Sequence, residues 1–268
     1  MSGEPEPSDL GFDATVPNMA RIYNYWLGGK DNFAADREAG DIALRNDPRC
    51  AYSVRANRGF LARTVRFLAD NAGIRQFLDI GTGLPDANNT HEVAQAVGGD
   101  SRVVYVDNDP MVLSHARALL RSSPEGRCSY IGADARDPGE IIEAAATTLD
   151  FTQPVALMLV AVLHCVPDAD DPCRVVQALL SAVPHGSYLV LSHPASDVNV
   201  EIRREVTRQM NALMRTPVTL RTRYQVIRFF DGLDLLDPGV VLVSHWRPEN
   251  EKEEQTPTSV WGGVGLKR

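Results

Sequence analysis

The sequence predicts an α/β protein built on a doubly wound, mostly parallel β-sheet. From Gln76 onward, short aliphatic or β-branched runs alternate with stretches of helical periodicity, which is typical of strand–helix–strand units. The first run leads directly into a glycine turn, as in sheets that bind ligands at the ends of their strands. Two later runs, 240–246 and 259–266, predict a strand pair that closes the sheet.

Five strands are predicted to lie parallel, at residues 76–80, 103–106, 129–131, 155–160 and 188–192. Helices are predicted near residues 90–97, 110–120, 139–147, 172–183, 200–213 and 224–230. One helix start is well marked, because Asp109 can cap it and Pro110 suits its first position. Since crossovers between parallel strands are right-handed, we expect a Rossmann-like sheet of seven strands, counting the closing pair.

The residues before the sheet predict a helical cap. Within 51–71, Val54, Leu61 and Leu68 recur near helical spacing, which indicates an amphipathic helix. We expect a single domain over residues 1–268, because one α/β domain can reach this length. Its predicted parts are a flexible lead-in at 1–16, an N-terminal helical cap at 17–74 and a Rossmann-like core at 75–268.

The composition favours a globular cytoplasmic protein, with 44% hydrophobic and 23% charged residues. The net charge of -8 argues against a general nucleic-acid partner, because phosphate binding needs a cationic surface. The four cysteines show neither a C-x-x-C pair nor zinc spacing, so we expect reduced thiols and no metal site. The N-terminal residues lack a secretory pattern, and the longest apolar run is shorter than the roughly 20 residues of a membrane helix. We therefore expect no membrane association.

Three predicted strand ends carry residues that indicate a ligand site. The first strand ends in the turn 79–83, DIGTG, where missing side chains let backbone amides approach a ligand. Asp107 ends the second strand, where a carboxylate can accept both hydroxyls of a ribose. Asp134 follows the third strand and can accept from an adenine amino group, while Ala135 leaves room for the ring. Because these strand ends meet at one edge of the sheet, they predict an adenosine-shaped ligand.

A nicotinamide dinucleotide is a rival ligand for the same turn. Against it, the turn continues as Gly83-Leu84-Pro85-Asp86 and lacks the third glycine of the G-x-G-x-x-G pattern. The sequence also shows no tyrosine and lysine pair placed for hydride transfer. An NAD-binding oxidoreductase therefore remains only as the second of two alternative functions.

The motif D-x-G-x-G at 79–83, together with Asp107, Asp134 and the segment 163–168, resembles the class I S-adenosylmethionine-dependent methyltransferases over about residues 75–268. More narrowly, residues 20–37, 229–242 and 246–248 resemble a bacterial family of uncharacterised predicted S-adenosyl methyltransferases, formerly domain of unknown function 574. That resemblance covers nearly the whole chain. It implies S-adenosyl-L-methionine as the cofactor.

The resemblance also implies roles for individual residues. Gly81, Thr82 and Gly83 would pass under the methionine and ribose part, and Asp79 would help to hold the amino group. Asp107 would bind the ribose. The adenine would be bordered by Asn108 and Ala135, with Asp134 at its amino edge, and the transferring methyl group would lie near Leu163 and His164.

Two residues of the cap are further candidate cofactor ligands. Tyr25, like its neighbours Tyr23 and Trp26, can place an aromatic ring against the positive sulfonium. Arg21 can meet the methionine carboxylate, as can Lys30. The alternatives are a core stripe for the aromatic residues and ordinary solvation for the cations.

His164 is the candidate catalytic residue, because an ordinary histidine pKa of about 6.5 suits proton removal at neutral pH. A structural histidine is the alternative. Residues 201–230 contain seven arginines against two glutamates. This excess of positive charge can receive an anionic substrate, or it can be the solvated face of a helix.

These observations predict an S-adenosylmethionine-dependent methyltransferase. Methyl transfer is an in-line displacement that mainly requires alignment and exclusion of water, so a dedicated base is not required. We expect a small-molecule acceptor, because the acidic composition offers no basis for nucleic-acid binding and the cap can close a pocket. The first alternative is a non-catalytic sensor that binds adenosine or S-adenosylmethionine.

Overall fold

A central β-sheet of eight strands organises the fold in the computed structural model, which describes residues 12–119 and 121–268. The strands are β1 (Gln76–Ile80), β2 (Arg102–Asp107), β3 (Arg127–Gly132), β4 (Ala156–Val160), β5 (Tyr188–Pro194), β6 (Asp234–Leu235), β7 (Val241–Leu242) and β8 (Val260–Leu266). Their order is β3-β2-β1-β4-β5-β8-β6, and β7 also pairs with β8. Strands β1 to β5 run parallel to one another, whereas β8 is antiparallel to β5, β6 and β7.

The closing strands differ from the predicted pair. The run at 240–246 forms only the two-residue strand β7, which pairs with Trp261 and Gly262. A second two-residue strand, β6, pairs with Gly265 and Leu266 at the other end of β8. The sheet therefore has eight strands instead of the predicted seven, because the two short strands β6 and β7 pair with different parts of β8.

The helices of the described residues surround this sheet. They are α1 (Met19–Leu27), α2 (Ala34–Asn46), α3 (Arg49–Asp70), α4 (Thr90–Val97), α5 (Pro110–Leu119), α6 (Pro138–Ala145), α7 (Pro172–Ser181), α8 (Val200–Asn211), α9 (Arg223–Ile227) and α10 (Glu251–Glu254). Aspartate and proline mark two of the starts, of which the sequence predicts the one at Asp109 and Pro110. Asp109 Oδ1 accepts from the Met111 amide at 2.8 Å where α5 begins, and the Asp171 side chain accepts from the Arg174 amide at the start of α7. None of these helices is long and apolar enough to cross a membrane.

Apolar layers cover both faces of the sheet. Leu78 and Ile80 of β1 belong to one buried cluster with Ile141 of α6 and Leu179 of α7. Phe77, which precedes Leu78 and faces the other side of the sheet, belongs to a second cluster that includes residues of α3 and α4. Side chains of a strand alternate between faces, so β1 is buried on both sides. This is the doubly wound arrangement expected from the sequence.

The cap is built from two separate parts of the chain. Helices α1 and α2 and the start of α3 supply one part, and α8, which follows β5, supplies the other. They share a third apolar cluster, whose buried members are Ile22, Ala39, Ala43, Cys50, Val206 and Met210. The predicted cap at 17–74 thus omits α8. The later part of α3 packs on the sheet instead, where Phe60, Val65 and Leu68 are buried.

The start of the described chain also contributes to the cap. The Phe12 ring lies 5.7 Å from the Phe33 ring, and the Arg21 guanidinium lies 4.9 Å from the Phe12 centroid. Residues 12–16 were expected to belong to a flexible lead-in, but they pack on the cap because Arg21 holds them. The rest of that lead-in, residues 1–11, lies outside the described residues.

Candidate functional site

The carboxyl ends of β1, β2, β3 and β4 open onto a cleft of about 370 Å³, within the range of small-molecule sites. Ten of the residues singled out in the sequence line it: Arg21, Asp79, Gly81, Thr82, Gly83, Asp107, Asn108, Asp134, Ala135 and His164. The cap covers it from the other side with a set that includes Phe12, Val16, Met19, Tyr23 and Asn24. Two predicted ligands, Tyr25 and Leu163, are not among the lining residues.

The glycine turn after β1 adopts a backbone that suits close approach. Gly81 has a φ of 73° and Gly83 a φ of 68°, both in the left-handed region that favours glycine. The amides of Gly81 and Thr82 donate to the Val106 carbonyl at 2.8 and 3.2 Å, which ties the turn to β2. A Cβ at Gly81 would overlap the Val162 side chain, whereas a Cβ at Gly83 would meet no atom within 4 Å. Gly83 therefore leaves free space at the cleft.

Asp107, at the end of β2, keeps part of its carboxylate free. Its Oδ2 accepts from the Gly83 amide at 2.9 Å, and its Oδ1 accepts from the Asp109 amide at 2.9 Å. A carboxylate has about four lone-pair positions, so about two remain for a ligand. Burial raises the pKa of Asp107, while these backbone amides oppose the rise. These free acceptor positions fit two neighbouring ribose hydroxyls, which would donate to them.

Asp134, after β3, is fully engaged within the protein. Its Oδ1 accepts from the Arg136 amide and from Arg136 Nε, both at 2.9 Å. Its Oδ2 accepts from Arg136 Nη2 at 2.8 Å and from Asn108 Nδ2 at 3.1 Å. The Arg136 side chain lowers the pKa of Asp134 to about 2. An adenine amino group can reach Asp134 only if Arg136, whose side chain is half exposed, gives up a bond.

Asp79, within β1, is a buried carboxylate at the edge of the cleft. Its Oδ2 accepts from Thr90 Oγ1 at 2.6 Å, the one hydrogen bond found for this side chain among the described residues. Burial raises the pKa of Asp79 to about 6. A cation in the cleft would stabilise its charged form, so Asp79 fits the positive amino group of a methionine moiety.

The cap residues divide between the cleft and the interior. Arg21 lines the cleft, but its Nε donates to Asp36 Oδ2 at 2.9 Å and its Nη2 donates to the Val16 carbonyl at 2.8 Å. Arg21 thus anchors the segment over the cleft through a buried ion pair. The Tyr25 hydroxyl donates to Asp41 Oδ1 at 2.7 Å, away from the cleft. The resemblance did not identify Val16, whose backbone carbonyl accepts this hydrogen bond from Arg21.

The neighbours of Tyr25 complete this pattern. Tyr23 lines the cleft, and its hydroxyl donates to the Val54 carbonyl and accepts from Asn57 Nδ2. Trp26 Nε1 donates to the Gly40 carbonyl, and Lys30 is exposed. Asn57 was missed in the sequence, although a polar residue inside the amphipathic α3 pattern was a usable signal.

His164 lies in the segment after β4, at the inner wall of the cleft. Its ring is buried, and neither ring nitrogen has a hydrogen-bond partner among the described residues. Burial, reinforced by the charges of Arg221 and Arg203, lowers the pKa of His164 to about 4. The ring is therefore neutral at pH 7 and a weak base. It can still donate one hydrogen bond and accept another.

A buried arginine fixes the segment that carries His164. Arg221 Nη1 donates to the Leu163 carbonyl at 2.8 Å, and Nη2 donates to the Val166 carbonyl at 2.9 Å. Arg221 also forms an ion pair with Asp168 at 2.6 Å. The Leu163 side chain points into the apolar core and is fully buried. The cleft is instead reached by its two neighbours, Val162 and His164.

A second, smaller cavity of about 80 Å³ adjoins the cleft. The two share Met19, Tyr23, Asn57, Ala161 and His164 as lining residues. Over residues 12–119 and 121–268, no group of three or more His, Cys, Asp or Glu side chains is placed to hold a metal ion.

Comparisons with known proteins show which family this chain is similar to. The model of the S-adenosyl methyltransferase family matches residues 5–268. A crystal structure of a protein of domain-of-unknown-function family 574 from Streptomyces avermitilis has 44% sequence identity and a TM-score of 0.91, covering 95% of this chain and 99% of its own. A candidate methyltransferase from Thermobifida fusca has 40% identity and a TM-score of 0.87, covering 99% and 100%.

A more distant structure shares the fold alone. The plantazolicin methyltransferase BamL, solved in complex with a triazolic desmethylPZN analog and SAH, is 13% identical with a TM-score of 0.51, covering 92% of this chain and 95% of its own. No curated protein matches this chain.

The family match extends over nearly the whole chain, which confirms the predicted α/β class I fold, the reaction and S-adenosyl-L-methionine as the cofactor. The NAD-binding and non-catalytic alternatives are set aside, because the family is one of methyltransferases. The protein is an S-adenosylmethionine-dependent methyltransferase and belongs to the S-adenosyl methyltransferase family.

Proposed function

We propose that this methyltransferase acts on a small-molecule acceptor that binds beneath the cap. The observation that carries the proposal is the shape of the site. Phe12, Val16 and Met19 lie over the cleft, and the cleft continues inward to an apolar cavity behind His164. An acceptor must pass under these residues to reach the strand ends, which favours a small molecule over a chain of protein or nucleic acid. The net charge of -8 also disfavours a nucleic-acid acceptor.

We propose that the cofactor is held by the strand ends. When bound, S-adenosylmethionine supplies a methyl group on a positively charged sulfonium. The free lone pairs of Asp107 accept the ribose hydroxyls, and Gly83 leaves space above the turn. Asp79 holds the amino group, and Asn108 and Ala135 border the adenine. The lining holds six aspartates against four arginines, and one of these arginines, Arg21, is paired with Asp36, so its balance suits a cationic cofactor.

We propose that the chain contributes alignment and exclusion of water more than proton transfer. The low pKa of His164 makes it a poor base at pH 7, so its neutral ring positions the acceptor by a hydrogen bond. Tyr23 and Asn57 stand beside it, held to each other at 3.1 Å, and give the acceptor site a fixed wall. Preformed geometry of this kind is what an in-line displacement requires.

A cytoplasmic location in a bacterium also belongs to the proposal. The cysteines at positions 50, 128, 165 and 173 are free, which supports a reducing compartment. The two similar proteins from Streptomyces avermitilis and Thermobifida fusca support a bacterial setting.

A labelling experiment tests the acceptor class. The purified protein is incubated with S-adenosylmethionine labelled in its methyl group and with a bacterial extract, which is then separated into small-molecule, protein and nucleic-acid fractions. We expect label in the small-molecule fraction, and much less with Asp107→Ala protein. Label confined to protein or nucleic acid would contradict the proposal. Calorimetric titration should also show binding of S-adenosylmethionine and S-adenosylhomocysteine but not of NAD.

A further inference from the structure

The apolar cavity next to His164 is lined by both parts of the cap. Its lining residues come from α1, α2, α3 and α8, from the segments after β4 and α8, and from the ends of β5 and β8. Most of them are apolar, among them Ala43, Val54, Val206, Met210 and Val218. At about 80 Å³ it is smaller than the roughly 150 Å³ cavity that takes up a benzene ring. It therefore holds part of a ring or a short chain, and the rest of any occupant lies in the cleft.

Two polar side chains of this cavity have unpartnered atoms. Both ring nitrogens of His164 and the Nε of Arg203 are buried without a hydrogen-bond partner in the described part of the chain. His164 faces the cleft as well as the cavity, whereas Arg203 lines only the cavity. Buried polar atoms are normally satisfied, so these atoms are suited to bind a polar group of a molecule in the cavity.

The charge of Arg203 indicates the sign of that group. No carboxylate of residues 12–119 or 121–268 lies within 4.0 Å of its guanidinium. The one side-chain hydrogen bond found for it among the described residues runs from Nη1 to Cys50 Sγ at 3.8 Å, and burial raises the pKa of Cys50, so the thiol is neutral. Arg203 is the one formally charged residue among those that line this cavity.

Two arginines on the exposed face of α8 are neutralised by carboxylates. Arg204 pairs with Glu201 at 2.7 Å, and Arg208 pairs with Glu205 at 2.6 Å. The positive run at 201–230 is thus largely a solvated or internally paired surface, and Arg203 is the exception at the cavity. Arg203 is partly exposed, and its unpaired guanidinium offers an anion a charge-assisted hydrogen bond at the cavity.

We propose that the acceptor is a small weak acid, with an apolar body in this cavity and one carboxylate or acidic hydroxyl oxygen bound by Arg203 and His164. This inference rests on the proposed small-molecule function and names the chemical class of its substrate. It also agrees with the weak basicity of His164, because an acceptor that arrives as an anion needs no protein group to remove its proton.

The test uses three probes with the same ring and different charge. Full-length protein saturated with S-adenosylhomocysteine is titrated calorimetrically with benzoate, benzamide and benzylamine. We expect benzoate to bind at least tenfold more tightly than benzamide, and benzylamine to bind most weakly. Arg203→Gln should reduce the affinity for benzoate to that for benzamide. Arg204→Gln is the matched control, since its parent side chain is paired at the surface of the same helix.

The possible failures are distinguishable. If S-adenosylhomocysteine binds but benzoate shows no preference over benzamide, or if Arg203→Gln leaves the benzoate affinity unchanged, the acidic acceptor is refuted while a small-molecule function stands. Label found only in protein or nucleic acid would instead refute the proposed function. Retained affinity for S-adenosylhomocysteine in Arg203→Gln shows that the variant is folded.

Discussion

The backbone amide of Gly83 donates a hydrogen bond to the carboxylate of Asp107 across 2.9 Å. This bond joins the turn after β1 to the end of β2, so two parts of the cofactor site that are 24 residues apart in the chain are fixed relative to each other. It also leaves about two lone-pair positions of Asp107 open. At Asp134, by contrast, Arg136 and Asn108 occupy all of the positions.

This contrast predicts unequal roles for the two carboxylates. Asp107→Ala should weaken S-adenosylmethionine binding at least tenfold, about 1.4 kcal/mol, because charge-assisted bonds to the ribose are lost. Asp134→Ala should weaken it less than about threefold, because that carboxylate is already saturated by protein donors. Calorimetric titration measures both affinities, and thermal melting shows whether each variant is folded. Equal losses in the two folded variants would contradict the assignment.

Substitutions at the two glycines of the turn should change different properties, stability at Gly81 and cofactor affinity at Gly83. Gly81→Ala places a methyl group on Val162 in a left-handed backbone, and we expect a loss of at least about 2 kcal/mol of stability. Gly83→Ala has the same backbone strain but no clash, so it should fold and lose cofactor affinity instead.

Urea unfolding and calorimetric titration measure these two effects. Val162→Ala provides the control, because the Gly81→Ala and Val162→Ala double variant should be less destabilised than the sum of the single changes. Strict additivity would mean that the overlap with Val162 is not the cause. Unchanged cofactor affinity in Gly83→Ala would remove this glycine from the site.

The strands and the three carboxylates at their ends could be predicted because both depend on local signals. Alternating aliphatic runs define β1 to β5, and a residue at the end of a parallel strand must reach the same edge of the sheet as its neighbours. Asp79, Asp107 and Asp134 therefore meet in the cleft as expected. What each carboxylate is bound to was not predictable, because the partners, such as Arg136 at Asp134, depend on side-chain geometry.

The structure differs from the sequence predictions where a residue's position depends on the direction of its side chain or on contacts between distant parts of the chain. Successive residues of a helix are rotated by about 100°, so Tyr23 and Tyr25 point to nearly opposite sides and only Tyr23 reaches the cleft. Leu163 follows β4 in a turn that directs it into the core. The place of α8 in the cap depends on contacts such as that between Arg203 and Cys50, which are 153 residues apart and leave no pattern in the sequence.

His164 should make the folded state sensitive to mild acid. Its pKa of about 4 in the folded protein lies below the ordinary 6.5, so the unfolded chain binds more protons between these values. Stability should therefore be fully present above about pH 6.5 and should fall as the pH drops towards 4. His164→Gln should flatten part of this fall, as measured by urea unfolding at about pH 7 and pH 5.

A second histidine provides the comparison for this effect. His193 is also buried, and burial lowers its pKa to about 3, so some acid sensitivity should persist in His164→Gln. His185 is exposed, so His185→Gln serves as the control for replacing a histidine by glutamine outside the interior. If the His164→Gln protein lost stability in acid as steeply as the parent protein, then His164 would not take up a proton when the protein unfolds.

Asp79 should change the pH dependence of stability in the opposite direction from His164. Burial raises the pKa of Asp79 to about 6, so the folded state holds this proton more tightly than the unfolded chain does. The buried charge of Asp79 costs the folded state more stability as the pH rises from about 4 to 6. Asp79→Asn should therefore stabilise the cofactor-free protein at pH 8 by on the order of 2 kcal/mol. At pH 4 the same substitution should change the stability little. The same variant should bind S-adenosylmethionine less tightly, because the charged carboxylate that meets the amino group is gone. Urea unfolding at both pH values and calorimetric titration at pH 8 measure the two effects. A variant that is less stable at pH 8 and binds the cofactor normally would show that Asp79 serves the fold through Thr90 rather than the cofactor.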